Sequence, residues 1–227
     1  MRMPITTRGA NLGSDPSGPT PAFRRWFALA CLATTLLSGC ASLSTPSTPA
    51  TPASTAAVAP YKDALELAGK LSVTYTRDGK QEASYVRFIW QQSADRTDIT
   101  ITAPPLNQTV ATIAVTPGEA TLTESGKPPR RAADIDTLSA QALGWTLPVS
   151  GLREWLQGYA TAAGGKRYVA SPAANSVTTA DGWRITYVSW QDGAPGGAPR
   201  PKRIDAERGA TGRLDDMSIR IVIDATQ

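Results

Sequence analysis

Apolar and polar positions alternate along much of the chain after residue 61. Leu71, Val73 and Tyr75 share one parity, Arg77-Asp78-Gly79-Lys80 signals a reversal, and Ala83–Trp90 alternates back, which predicts a β-hairpin. Alternation resumes over Asp98–Ala103, Thr109–Val115 and Glu119–Thr123, with Pro104-Pro105 and Pro117-Gly118 between the runs as reversal signals. Five strands in about fifty residues, joined by short turns, predict an antiparallel meander that curls. Elsewhere the period changes. Tyr61–Leu67 reads as a short amphipathic helix. Asp134 is placed to cap a helix bearing Ile135, Leu138 and Leu143, and Ser150 one bearing Leu152, Trp155 and Leu156. Lys166–Ala170, Trp183–Trp190, Lys202–Ala206 and Met217–Asp224 return to strand rhythm. A curved sheet flanked by two or three helices is the simplest arrangement, so the expected class is mostly β with helices (α+β).

The most hydrophobic stretch lies earlier. Arg24 and Arg25 precede an apolar run from Trp26 to Leu37 that closes on small residues. This is the layout of a secretory signal, and the run is too short for a bilayer span of about 20 residues. An exported chain is expected. The run ends on Leu37-Ser38-Gly39-Cys40, which resembles the lipobox of bacterial lipoproteins. In that family the cysteine sulfur takes a diacylglycerol, the peptide bond before it is cut, and the new amino terminus is acylated. Cys31, the only other cysteine, lies inside the segment that would be removed, which would leave Cys40 a lone thiol in an oxidising compartment unless it is used.

Acylation gives the next segment a purpose. Ala41–Pro60 is rich in Ser, Thr, Pro and Ala without apolar periodicity, and reads as an extended tether. The expected organisation is residues 1–39 as signal peptide, 40–60 as lipidated tether and 61–227 as one folded domain. In Gram-negative lipoproteins an aspartate after the cysteine favours inner-membrane retention. Ala41 stands here, so the resemblance implies the outer membrane, with the domain facing the periplasm.

Charge changes the picture little. The chain carries 23 Lys plus Arg against 19 Asp plus Glu, but four of those cations (Arg2, Arg8, Arg24, Arg25) and one carboxylate (Asp15) belong to the leader. The remainder is nearly neutral and gives no support for nucleic-acid binding. Catalysis finds no footing either. The chain has no histidine, which removes Ser-His-Asp and Cys-His arrangements and most zinc sites. It has no G-x-S-x-G elbow, Walker loop or G-x-G-x-x-G, and the prolines near Gly196 suit that loop poorly to cradling phosphate. The paired carboxylates Asp134/Asp136 and Asp215/Asp216 read as cap and turn residues. No catalytic residue, metal or cofactor is expected.

Four stretches in order carry a family resemblance: the lipobox, VRFIWQQ (Val86–Gln92), TAPPLNQTV (Thr102–Val110) and LPVSGLREWLQG (Leu147–Gly158). Together they resemble the LolB family, outer-membrane receptors for lipoproteins. The resemblance implies an incomplete antiparallel β-barrel covered by helices and enclosing an apolar cavity. It implies acceptance of cargo acyl chains from the soluble periplasmic carrier LolA, and delivery to the inner leaflet of the outer membrane without cofactor or nucleotide. The physical logic is that acyl chains cannot cross water unshielded, at roughly 0.8 kcal/mol per methylene. A second cavity that holds them better than the first needs no fuel.

On this reading Phe88, Trp90, Ile99 and Ile101 supply cavity wall, and Trp145, Leu152, Trp155 and Leu156 belong to the covering helices. The same residues would serve equally as ordinary core. Pro104 and Pro105 stiffen a turn with Leu106 at its tip, and the resemblance suggests a membrane-contacting loop formed by Pro105 and Leu106; the alternative is that Leu106 folds back over the cavity rim. Gly193–Arg203 reads as a mobile loop whose basic residues meet lipid headgroups or an acidic partner, or are simply solvated. A monomer is expected. Two other functions fit the same residues: a lipid-anchored binder of a small apolar ligand, or a structural or assembly lipoprotein.

Overall fold

The computed structural model describes residues 54–144, 146–191, 197–210 and 214–225. Cys40 and Trp145 lie outside them, as does the centre of the Gly193–Arg203 loop. Six strands come first: β1 (Leu65–Arg77), β2 (Lys80–Gln92), β3 (Thr97–Ala103), β4 (Gln108–Thr116), β5 (Glu119–Glu124) and β6 (Arg130–Ala132). Two helices follow, α1 (Ile135–Leu143) and α2 (Val149–Trp155). The chain continues through β7 (Tyr159–Thr161), β8 (Arg167–Val169), β9 (Ser176–Thr178), β10 (Arg184–Gln191), β11 (Arg200–Arg208) and β12 (Leu214–Ile223).

Ten of these strands form one antiparallel sheet in the order β6-β5-β4-β3-β2-β1-β12-β11-β10-β9, while β7 and β8 pair separately. The sheet is two meanders joined where β1 meets β12. Its register puts one parity on one face. Phe88 lies opposite Ile101, Trp90 opposite Ile99, and Ile99 opposite Ile113; on the other side of β1, Leu71 faces Ile221, which faces Ile204. The opposite parity, with Arg87, Thr100, Thr102, Asp205 and Arg220, is polar or half-exposed. Alternation of this kind requires something apolar to cover the first face.

The cover differs between the two halves. Over β10 and β11 it is solid aromatic packing: Tyr187 stacks on Tyr168 of β8 at 6.4 Å and on Trp190 at 5.8 Å, and fully buried Trp183 packs against Trp155 at 6.1 Å. Over β2 to β5 it is α1 and α2, facing mainly Ile, Val and Leu side chains together with Phe88 and Trp90 of β2. Asp134 caps α1, its carboxylate accepting from Thr137 N at 2.7 Å, and Gly144 closes the helix in a left-handed conformation.

Several expectations need correction. Tyr61–Leu67 is not helical: β1 begins at Leu65, and the two-residue alternation Leu65, Leu67, Gly69, Leu71 simply extends the strand, so the described residues contain two covering helices. Ser150 does not cap α2, whose N-cap is Pro148; its N–H and hydroxyl donate to Asp136 of α1 instead. Arg200 and Pro201, expected only in the loop, lie on β11, where the strand rhythm also places Lys202 and Arg203. Residues 54–60, expected within the extended tether, lie against the domain. Val58 is buried, its N–H donates to Ala170 O at 3.0 Å, and Ala173 N donates to Ser54 O at 3.0 Å. The chain from Ser54 to Lys62 is therefore a strap on the domain, admitted because a side chain on Gly158 (φ +85°) would stand 2.7 Å from Val58.

Residues Ala50–Gln227 make one compact unit holding the whole described core. Its carboxylates set the acid limit. Hydrogen bonds from Thr137 hold Asp134 below its ordinary value of 3.8, and those from Lys127 and Arg130 hold Glu124 below 4.5. Burial pushes Asp205 upward, but hydrogen bonds and charge from Arg203 and Arg220 outweigh it and the carboxyl ends below 3.8. Groups with a folded pKa beneath the unfolded one stabilise fully above the unfolded value, and that contribution is lost as pH falls through the folded value. With no histidine in the chain, the thermal midpoint is expected to stay flat between about pH 5 and 8 and to drop only below about pH 4, which a scan of melting temperature against pH checks.

Candidate functional site

Where α2 crosses the sheet, the packing is incomplete. A gap of about 60 Å³, walled only by apolar side chains, lies between Phe88, Trp90, Ile99 and Ile101 on the sheet and Leu152 and Leu156 from α2 and its end. A second space of about 180 Å³ adjoins it under α1 through Ile101, Ile113, Leu147 and Val149. A third, about 390 Å³ and open to solvent, shares Trp90, Ile99 and Val149 with the gap. This last space is bordered by the turns after β2 and β4 and by the first turns of both helices. The inner spaces fall below the roughly 300–1,000 Å³ of ordinary ligand pockets, so a long apolar ligand enters only if the helices move.

The helices are held as one lid at a few polar points. Ser150 N donates to Asp136 at 3.1 Å and ties α2 to α1. The buried Ser139 hydroxyl donates to Asp136 O at 2.8 Å and accepts from Leu147 N at 3.0 Å, fixing the connection between them. Three contacts fasten the lid to the sheet and the strap. The Arg153 guanidinium donates to Thr97 Oγ1 at 2.8 Å, to Ala94 O at 3.2 Å and to Ser93 O. The Gln157 amide accepts from Lys62 N at 2.9 Å and donates to Lys62 O at 3.0 Å. Arg77 donates to Leu143 O at 3.4 Å. Such side-chain bonds are individually modest, about 0.5–1.5 kcal/mol net for the neutral ones and about 1.5–3 for those from the arginines.

Six of the expected wall residues, Phe88, Trp90, Ile99, Ile101, Leu152 and Leu156, border the gap. Trp155 does not; it is spent on Trp183 in the solid half of the core. Trp90 keeps its indole N–H satisfied by Gln92 Oε1 at 3.1 Å, so a buried polar atom does not spoil the apolar wall. Val86, which shares a strand face with Phe88 and Trp90, borders the gap as well; sequence reasoning missed Leu71, Ile113, Leu147, Val149 and Ile221 on the wall, although the parity of Leu71 and Ile113 in their strands was a usable signal. It also missed Arg153, whose carbonyl acceptors carry no sequence signature.

At the opposite end of the strands, the reversal between β3 and β4 spans Pro104 to Asn107. The Pro104–Pro105 bond is cis, and Leu106 is 74 % exposed, the most exposed large apolar residue described. It does not fold back onto the rim. Exposed Leu143 at the end of α1 lies at this same end, where Arg77 at the close of β1 holds its carbonyl.

The described chain is thus a mostly-β protein in which a large antiparallel sheet is roofed on one face by two helices. A family model described as outer membrane lipoprotein LolB matches residues 63–225. Outer-membrane lipoprotein LolB of Cupriavidus necator is 38% identical over 202 residues, covering 88% of this chain and 96% of that protein. The protein of the same name from Cupriavidus pinatubonensis is 36% identical, covering 91% and 97%. Among solved structures, a LolA superfamily protein from Nitrosomonas europaea aligns over 74% of this chain and 86% of that one, at 9% identity and a TM-score of 0.38. The chain belongs to the LolB family. It is an outer-membrane lipoprotein of Gram-negative type with a role in lipoprotein localisation.

Proposed function

We propose that this protein takes the acyl chains of lipoprotein cargo, handed over by a LolA-type periplasmic carrier, into the apolar space beneath α1 and α2, and releases them into the inner leaflet of the outer membrane. The sheet and helices act as an incomplete barrel around that space. The observation that carries the reading is the gap walled by Phe88, Trp90, Ile99, Ile101, Leu152 and Leu156 under a lid held by few polar bonds.

The mechanism follows from the geometry. A chain entering from the solvent-open space beside Val149 and Ile135 meets Trp90 and Ile99 first. It enlarges the inner spaces as the Arg153 and Gln157 bonds give way, and each methylene withdrawn from water contributes about 0.8 kcal/mol toward opening the lid. Transfer is downhill if this space holds the chains better than the carrier does. Cys40 carries the lipid anchor, the segment after it keeps the domain near the bilayer as a monomer, and the tip formed by Pro105 and Leu106 enters the membrane at delivery.

A soluble form beginning at Ala41, mixed with carrier already loaded with an acylated lipoprotein, is expected to hold the cargo after the two are separated. Cargo remaining on the carrier beside a folded acceptor would remove this reading.

A further inference from the structure

Beside the strap lies a space the cargo pathway does not use. It measures about 310 Å³, at the lower bound of ordinary ligand pockets, with room for one apolar chain. Its walls come from the strap (Ala59 to Lys62), the start of β1, the end of α2, and the ends of β10 to β12 that meet there. The interior is apolar, presenting Leu65, Leu67, Leu156, Pro201 and Ile223. The two wall amides are already spent: Gln157 on the Lys62 backbone, and Gln191 in donating to Asp224 O at 3.2 Å and Ile223 O at 3.4 Å.

The rim differs from the interior. Lys62 and Arg200 are exposed there, and neither forms an ion pair among the described residues, against one carboxylate, Glu66. An apolar slot with two unpaired cations at its edge matches an amphiphile bearing one chain and a negative head. Position agrees with this. Ser54, where the strap begins, lies only 14 positions beyond Cys40, which limits the strap to about 50 Å from a lipid anchored at Cys40. The slot is therefore held where membrane amphiphiles are abundant. Leu156 also lines the gap under α2, and Leu67 and Ile223 sit two and one same-face positions from Leu71 and Ile221 of that gap, so the two spaces are adjacent compartments divided chiefly by Leu156.

We propose that this slot is a second lipid site, separate from the cargo space, which binds a single-chain anionic amphiphile with its chain against Leu65, Leu67 and Ile223 and its head at Lys62 and Arg200. The site stands whether or not cargo enters beneath the helices.

The test titrates the soluble form beginning at Ala41, calorimetrically and below micelle concentrations, with lauroyl-lysophosphatidylglycerol, dodecanoate, lauroyl-lysophosphatidylcholine and neutral monolaurin. One-to-one binding of the anionic probes is expected, at least tenfold tighter than monolaurin. Equal affinity for dodecanoate and the lysophosphatidylglycerol supports a general anionic site, and preference for the latter narrows it to lysophospholipid. Lys62→Glu with Arg200→Glu is expected to weaken the anionic probes at least tenfold and leave monolaurin unchanged. Ala64→Trp, filling the slot from its exposed rim, is expected to abolish binding, while Ile101→Trp in the cargo gap leaves it intact. Protection of the Lys62 amine from acetylation by bound lysophosphatidylglycerol gives a readout that does not depend on Ala64→Trp folding. No anionic preference, binding lost in Ile101→Trp but kept in Ala64→Trp, or an unprotected Lys62 at saturation each overturns the site. Cargo transfer by the Ala64→Trp protein is measured alongside and is expected unchanged, so that failure of this site and failure of the cargo reading are separately visible.

Discussion

Replacing Leu106 by glutamate is expected to slow delivery of cargo into liposomes by at least about tenfold while leaving uptake from the carrier intact. Leu106 stands at the tip of a four-residue reversal, 74 % exposed, at the far end of the strands from the turns bordering the solvent-open space. Seating a leucine in an apolar phase contributes about 1.5–3 kcal/mol, and a charge there opposes insertion. With tenfold per 1.4 kcal/mol, the insertion rate should fall by about tenfold to a hundredfold. Leu106→Phe keeps the apolar tip and should keep delivery. The measurement follows labelled cargo from carrier to acceptor and then to vesicles separated by flotation. Unchanged delivery by the Leu106→Glu protein would remove the membrane-contact role, and loss of uptake would relocate the residue to the cargo space.

Gly69→Ala should cost about 2 kcal/mol of stability, within the range of about 1–3 for overpacked cores. Gly69 sits on β1 at the middle of the ten-stranded sheet, and a Cβ there would stand 2.5 Å from Val222 O and 2.9 Å from the Phe88 ring. The carbonyl belongs to the neighbouring strand and cannot rotate away, so the sheet itself must shift. For a domain of this size the melting temperature should fall by roughly 4–8 °C. Gly164→Ala, with nothing within 4 Å of the added methyl, is the control and should leave it unchanged. Because Phe88 borders the cargo gap, the Gly69→Ala protein should also take up cargo less well than its remaining folded fraction accounts for. A melting temperature equal to that of the Gly164→Ala control would show that the sheet relaxes freely at β1.

The legible parts of this protein are the local ones. Alternation located β1 to β5 and four of the later strands or their cores because each side-chain period is written within a few residues. Asp134 announced its helix because a cap needs only the amides of the next turn. Of the three-residue strands only β8 fell within a legible run; β6, β7 and β9 were invisible, being too short to show a period. Tyr61–Leu67 misled because a short apolar run fits both periods, and only pairing of Leu65 with Gln92 and Leu67 with Trp90 decides for strand. Ser150 looked like a cap, yet its partner is a carboxylate fourteen residues away on another helix. At the site, the parity of Phe88, Trp90, Ile99 and Ile101 was readable, whereas Trp155 left the wall because Trp183, distant in sequence, offered it a ring to pack on.

By itself, then, the sequence determined the strand rhythm, the projecting Pro-Pro-Leu turn, the near-neutral charge of residues 40–227 and the family, and it raised the expectation of an export signal ending on Cys40. Each depends on neighbours along the chain or on composition. Tertiary structure alone decided that β1 and β12 join two meanders, that large aromatics fill one half of the apolar face while the helices leave a gap over the other, that Arg153 and Gln157 fasten the lid, and that the chain from Ser54 to Lys62 forms a strap beside a second slot. Those outcomes turn on which distant surfaces meet and how well their volumes match, and a pattern of period two or 3.6 carries no information about either.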